Sequence, residues 1–226
     1  MLKTPDEIVG QLPYFAALDP SARARVAQAA IRRAFPANHL IFGEGEPCAG
    51  LYMIEEGSVR IFRTALDGRE QVLQVLGPGQ SFNEVAVFDG GPNPASVITI
   101  EPTVVWIIDR VTMQNLLRTY PALAEAAVKV LAARLRHLVD LVEDLSFRSV
   151  TARLAKLLLQ QADAARSDSV ARATLLTQQE MAARLGTVRE MVGRALKALA
   201  DAGVIRMERH RIVIVDRARL EEKAKL

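Results

Sequence analysis

Between Phe35 and Asp109 apolar residues fall in short β-branched runs rather than at helical spacing: Leu40-Ile41-Phe42, Leu51 to Ile54, Val59 to Phe62, Val72 to Leu76, Val97 to Ile100 and Val104 to Ile108. Glycines at 43, 45, 50, 57, 68, 77 and 79 separate them, where turns of positive φ or close strand crossings are needed. The pattern predicts an all-β roll or barrel. Ahead of it, Ile8, Leu12 and Phe15 at helical spacing and a helix start at Asp19-Pro20 or Ser21 predict short helices over 5–31.

The period then changes. Pro121 opens a stretch without Gly or Pro that runs to Asp163. Its apolar seam of Val128, Leu131, Leu135, Leu138, Val142 and Leu145 alternates steps of three and four, the spacing with which a helix packs along a partner helix. Val139 and Leu141 add a second apolar flank, so one side can face the roll while the seam meets a second copy of the chain. Homodimerisation along this helix is therefore expected. Residues 166–173, RSDSVARA, are small and polar and predict a surface loop.

Beyond the loop the residues carry chemistry. Thr177-Gln178-Gln179-Glu180 has the spacing of a capping box and starts a helix. Ala182 is small enough for close helix contact, Gly186 suits a left-handed turn, and Val192 is the apolar anchor of a second helix over Arg189 to Ala200. A small residue, a Gly four later and an aliphatic six after that is helix-turn-helix spacing. Gly203 can end the second helix, and Val204 to Met207 followed by Arg211 to Val215 predicts a β-hairpin wing. Arg189, Glu190 and Arg194 share one face opposite Val192, Leu196 and Leu199. That face suits base-edge readout, with Arg bidentate to guanine and Glu accepting from the cytosine amino group. The fold class is thus α+β, with a sensor roll over 1–119, a dimerisation helix over 120–146 and a winged helix-turn-helix over 147–226.

Composition narrows the function. Half of the 226 residues are hydrophobic and the formal net charge is +3, room for two small cores and no large assembly. The basic residues concentrate from Arg184 to Arg219, which favours a polyanionic partner. No apolar run reaches the roughly 20 residues of a membrane span and the N-terminus lacks a signal-peptide core, so a cytoplasmic protein is expected. Cys48 is the sole cysteine, which rules out an intramolecular disulfide, a structural zinc site built on cysteines and a four-cysteine iron–sulfur cluster. No Ser/His/Asp arrangement, metal cluster or Gly-rich phosphate loop points to an enzyme.

At these residues the sequence resembles the cyclic-AMP receptor protein/fumarate-nitrate regulator family, along nearly its whole length. QQEMAARLGTVREMVGRALKALADAGVI is similar to that family's helix-turn-helix, and VREMVGR to the R-E-x-V-G-R recognition helix of its cyclic-AMP branch. The resemblance implies Arg189, Glu190 and Arg194 as base-reading residues, with Thr177, Gln178, Gly193 and Lys197 beside them at the DNA. It implies an inverted repeat near TGTGA-N6-TCACA and RNA polymerase as a further partner. The fumarate-nitrate branch has Ser where this chain has Gly193, so that branch's readout is not expected.

The roll resembles a cyclic nucleotide-binding domain, from IFGEGEPCAGLYMIEEGSVRIF to DGREQVLQVLGPGQSFNEVAVFDGGPNPASV. The family's phosphate-binding cassette reads F-G-E-L-A and then P-R-S-A-T/S. Glu84, the ribose-hydroxyl acceptor, is retained, but Asn83 replaces Gly, Asn93 replaces the phosphate-binding Arg and Pro94 replaces Ser. A buried cyclic phosphate needs a fixed cation and several donors, and Pro94 also removes an N–H. The adenine-contacting Thr-Ser pair aligns with Leu138-Val139. These changes argue against cyclic AMP, and leave an effector pocket of Asn83, Glu84, Val85, Asn93, Ala95, Ser96, Arg134, Leu138 and Leu141, with Val87 and Val139 at its rim. Haem is then a candidate cofactor, as in branches of the family that sense nitric oxide or carbon monoxide. His137 would be its ligand and Arg134 its propionate partner; His39, Cys48 and Met53 are weaker donors. The alternative is a roll that binds no small molecule on a regulator that binds DNA constitutively.

Overall fold

A computed structural model describes residues 9–10, 12, 14–15, 18–165, 169–171, 176–208 and 211–225. Ile8, His210 and much of the expected loop at 166–173 lie outside them. Leu12 and Phe15 are buried, and the expected helix start at Asp19 is present: its side chain accepts from Ser21 and Ala22 N–H at the head of α1 (Pro20–Ala29).

The roll has eight strands, β1 (Ile31–Phe35), β2 (Leu40–Phe42), β3 (Gly50–Glu56), β4 (Val59–Thr64), β5 (Glu70–Leu76), β6 (Ser81–Phe82), β7 (Ser96–Thr99) and β8 (Thr103–Asp109). They form two four-stranded sheets in the orders β1-β8-β3-β6 and β2-β7-β4-β5. Two segments depart from the expectation. Ile31–Phe35 is a strand, because it pairs antiparallel with β8 from Ile31↔Ile107 to Phe35↔Thr103. A short helix, α2 (Glu84–Asp89), interrupts the roll after Asn83.

Side-chain alternation divides β3 between two cores. Leu51 and Met53 face a cluster with Tyr14, Phe15, Trp106, Ile108, Met113 and Leu123, while Tyr52 and Ile54 face the roll interior with Phe42, Val59, Phe82, Val97 and Val105. A strand buried on both faces reads as a continuous apolar run. The first cluster is closed by α3 (Arg110–Thr119) and by Leu123 and Ala127 of α4 (Pro121–Phe147).

The long helix ends at Phe147, one residue past its expected end. It breaks at Arg148-Ser149 and resumes as α5 (Val150–Ala165). Asp144 bridges the break, 2.9 Å from Arg148 and 2.5 Å from Lys156, and the Ser149 hydroxyl accepts from Ala152 N–H. The chain after the break continues through β9 (Ser169–Ala171), where a loop was expected, α6 (Gln178–Leu185), α7 (Arg189–Asp201), β10 (Ile205–Glu208), β11 (Arg211–Ile214) and α8 (Arg217–Lys223). Strands β10, β11 and β9 form a three-stranded sheet. Two units divide the chain, Met1–Arg63 with Leu73–Leu138 and Thr64–Val72 with Val139–Leu226. Among the described residues no helix is long and apolar enough to cross a membrane.

Gly50 shows how tightly β3 meets β8. A Cβ there would sit 2.1 Å from the Ile108 carbonyl oxygen, a clash with backbone that no rotamer relieves. Gly50→Ala should destabilise the protein by about 1–3 kcal/mol or more. Urea unfolding followed by the fluorescence of Trp106, the only tryptophan, checks this, and an unchanged midpoint would refute the close crossing.

Candidate effector cavity and DNA-reading face

Glu84 begins α2 and its carboxylate is only 1% exposed. One oxygen takes three donors: Arg134 Nη2 at 2.6 Å, the Ser81 hydroxyl at 2.6 Å and the Tyr14 hydroxyl at 3.0 Å. Arg134 also donates to the Ser81 carbonyl. Burial, reinforced by the neighbouring carboxylate, drives the Tyr14 hydroxyl far above its usual pKa, so it remains a protonated donor. Tyr14 and Ser81 escaped sequence reasoning because nothing at 70 or three residues' separation marks them as partners of Glu84.

Asn83 has φ 74°, the left-handed conformation that Gly adopts freely and Asn tolerates better than other side chains. The departure from the family's Gly therefore leaves the backbone path intact. Its side chain turns inward, donating to Asn93 Oδ1 at 3.0 Å and to the Gly50 carbonyl at 3.2 Å, while its own Oδ1 has no partner among the described residues. Asn93 is buried as well. Its N–H donates to the Glu46 carbonyl and its Nδ2 to the Gly43 carbonyl, so it braces the 43–46 loop.

Beside this network lies a cavity of about 330 Å³. Of the expected pocket residues, Asn83, Glu84, Val85, Ala95, Arg134 and Leu138 line it, joined by His137. Asn93, Ser96, Leu141, Val87 and Val139 do not. Ser96 turns its hydroxyl to the Glu44 N–H, and Val87 is fully buried among α3 and β3 neighbours. Phe42, Ile61 and Leu73 from three strands and Leu131 and Leu135 of the long helix supply further apolar wall. Among the described lining residues Arg134 is the only Arg or Lys, and it is engaged with Glu84. His137 does meet the roll, with Nε2 3.2 Å from the Leu73 carbonyl.

The second site is built on a core. Thr177 and Glu180 form the full capping box, 3.2 Å and 2.7 Å, and Gly186 ends α6 at φ 62°. Arg153 of α5 donates to the Leu185 carbonyl at that end. Val192, Ala195, Leu196 and Leu199 of α7 pack with Leu154, Leu158, Met181 and Ile212. Burial of that stripe leaves Arg189, Glu190, Arg194 and Lys197 exposed together. Gln178 reaches toward the same helix, its Oε1 3.9 Å from where a Cβ on Gly193 would lie. Gly203, φ 70°, releases the chain into the wing, whose register runs from Ile205↔Ile214 to Glu208↔Arg211. On the wing Arg211 and Arg206 hold Glu208 below the usual carboxylate range.

A roll with a cavity, a long helix with an exposed apolar seam and a winged helix-turn-helix together define a DNA-binding transcription regulator. Residues 32–120 match the cyclic nucleotide-binding domain and residues 152–223 the Crp-like helix-turn-helix domain. The chain is 38% identical over 223 residues to a CRP-like cAMP-activated global transcriptional regulator of Mycobacterium tuberculosis, covering 97% of this chain and 100% of that protein. It is 37% identical over 194 residues to the cyclic AMP receptor protein of Thermus thermophilus, 85% of this chain and 88% of that one. The structure of the c-di-GMP responsive global regulator CLP of Xanthomonas campestris superposes with a TM-score of 0.75 at 27% identity, over 87% of this chain and 99% of that chain. The protein belongs to the CRP/FNR family of transcription regulators.

Arg134→Met would leave the Glu84 carboxylate buried without its cation and should cost about 3–5 kcal/mol. Tyr14→Phe keeps the ion pair and should cost about 1 kcal/mol. Urea unfolding of both variants separates the two contributions, and equal losses would contradict the ranking.

Proposed function

We propose that the protein is a homodimer that binds an inverted repeat near TGTGA-N6-TCACA, and that its roll takes a small uncharged ligand in place of a cyclic nucleotide. The observation that carries the DNA reading is the exposed cluster of Arg189, Glu190 and Arg194 at the start of α7, held outward by a buried opposite face. Arg can take guanine O6 and N7, and Glu can accept from the cytosine amino group. Thr177, Gln178, Gly193 and Lys197 flank the contact, and RNA polymerase is the further partner. Dimerisation is supported by the seam of α4, where Val128 is 65% and Leu135 63% exposed in the single chain. The break at Arg148-Ser149 is the hinge through which a change at the roll alters recognition-helix spacing against half-sites about one DNA turn apart.

The ligand class follows from charge. Among the described lining residues a cyclic phosphate would find no uncommitted Arg or Lys: the position of the family's Arg holds Asn93, which donates to the Gly43 carbonyl, and Arg134 serves Glu84. A volume near 330 Å³ lies in the small-molecule range, about 300–1,000 Å³, and the walls are mostly apolar. The unpaired Asn83 Oδ1 favours a ligand that donates a hydrogen bond. Similar proteins named for cyclic AMP and for c-di-GMP indicate that the effector varies among relatives. Haem fits poorly. His137 spends Nε2 on a backbone carbonyl, His39 stacks on Phe35 at 5.2 Å, and Met53 is closed within the core.

Arg194→Ala should lose about 1–3 kcal/mol of operator affinity and relax specificity at one base pair. Selection from random DNA that yields no two-fold symmetric site would sink the reading. Leu138→Asp should shift sedimentation toward the monomer and weaken operator binding with it. Titration calorimetry should show no micromolar binding of cyclic AMP; such binding would overturn the ligand assignment while leaving the DNA reading in place.

A further inference from the structure

The first turn of the recognition helix carries two apolar side chains in the open. Val188, the N-cap residue of α7, is 40% exposed, and Met191 is 37% exposed. Residues three apart are neighbours on a helix surface, so the two form one patch. Neither belongs to the core of the domain, which draws Val192, Ala195, Leu196 and Leu199 from the same helix. The Met191 sulfur lies 3.9 Å from Arg194 Nη1, which sets the patch directly beside a base-reading arginine.

The N-cap choice sharpens the point. Val188 makes no side-chain cap bond, whereas Thr177 caps the preceding helix with a full capping box. Ser, Thr, Asp or Asn would stabilise the start of α7, and Val forgoes this. Helix formation does not explain an aliphatic side chain there, and core packing does not either.

In the major groove the one apolar feature of a base edge is the 5-methyl group of thymine. We infer that Val188 and Met191 read thymine methyl groups next to the base taken by Arg194, adding a methyl-dependent step to the hydrogen-bonded readout. Cytosine in the same place would lack the methyl and present an amino donor where Val188 offers no acceptor and Met191 only a weak one. The inference rests on the major-groove placement of α7 proposed above.

The test replaces each thymine of the selected operator, one at a time, with uracil, which deletes the methyl and keeps the base pair. Affinity is measured with the full chain. Loss of one buried methyl corresponds to about a fourfold drop in affinity. Wild type should show it at one or two positions. Met191→Ala or Val188→Ser should bind the thymine and uracil operators alike at the position each reads, and Met191→Leu should keep the difference. A wild type indifferent to every replacement, with Arg194→Ala still impaired, would overturn this inference and spare the DNA reading. A methyl effect unchanged in both Met191→Ala and Val188→Ser would overturn it as well. If Arg194→Ala bound the operator as wild type does, the placement of α7 would fail and the inference with it.

Discussion

A carboxylate removed from water must be met by donors that are already in place, and Glu84 organises its domain through that requirement. Its three donors come from the N-terminal segment, from β6 and from the long helix. The shared oxygen gives them a common geometry. The same arrangement engages Arg134, the only Arg or Lys among the described residues lining the cavity, so the charge character of the cavity follows from how the fold satisfies a single buried acid.

The Asn83–Asn93 pair extends this logic. In the cassette that the roll resembles, those positions are a glycine and a phosphate-binding arginine. Here the Asn83 amide donates to Asn93 Oδ1 and to the Gly50 carbonyl, and the Asn93 amide donates to the Gly43 carbonyl. The roll keeps its backbone path, because Asn accepts the left-handed conformation that the turn requires. The side chains differ from the cassette while the backbone path is kept, and domain membership by itself does not name a ligand.

At the other end of the chain, function depends on what the core leaves out. Burying Val192, Leu196 and Leu199 fixes the roll angle of α7 about its axis, and every polar residue of the reading face takes its direction from that. The capping box and Gly186 set where α6 begins and ends, and Arg153 ties its last turn to α5. Asp144 joins the two sides of the helix break by ion pairs, so the break is a defined junction rather than a frayed end.

The amino-acid sequence determined those features that depend on neighbours in the chain. The β-branched runs, the heptad seam, the capping box, Gly186, Gly203 and the shared face of Arg189, Glu190 and Arg194 are all governed by local conformational preference and by period, and the structure has them where the sequence places them. Tertiary structure alone decided the rest. Ile31–Phe35 became a strand because β8 offered an edge to pair with, and 169–171 because β11 did. Glu84 lost its free acceptor role to Tyr14 and Arg134, partners 70 and 50 residues away. Asn93, Ser96 and Leu141 left the cavity while Phe42, Ile61 and Leu135 entered it. A side chain's place in a cavity depends on which strands and helices converge there, and no period or spacing along the chain encodes that convergence.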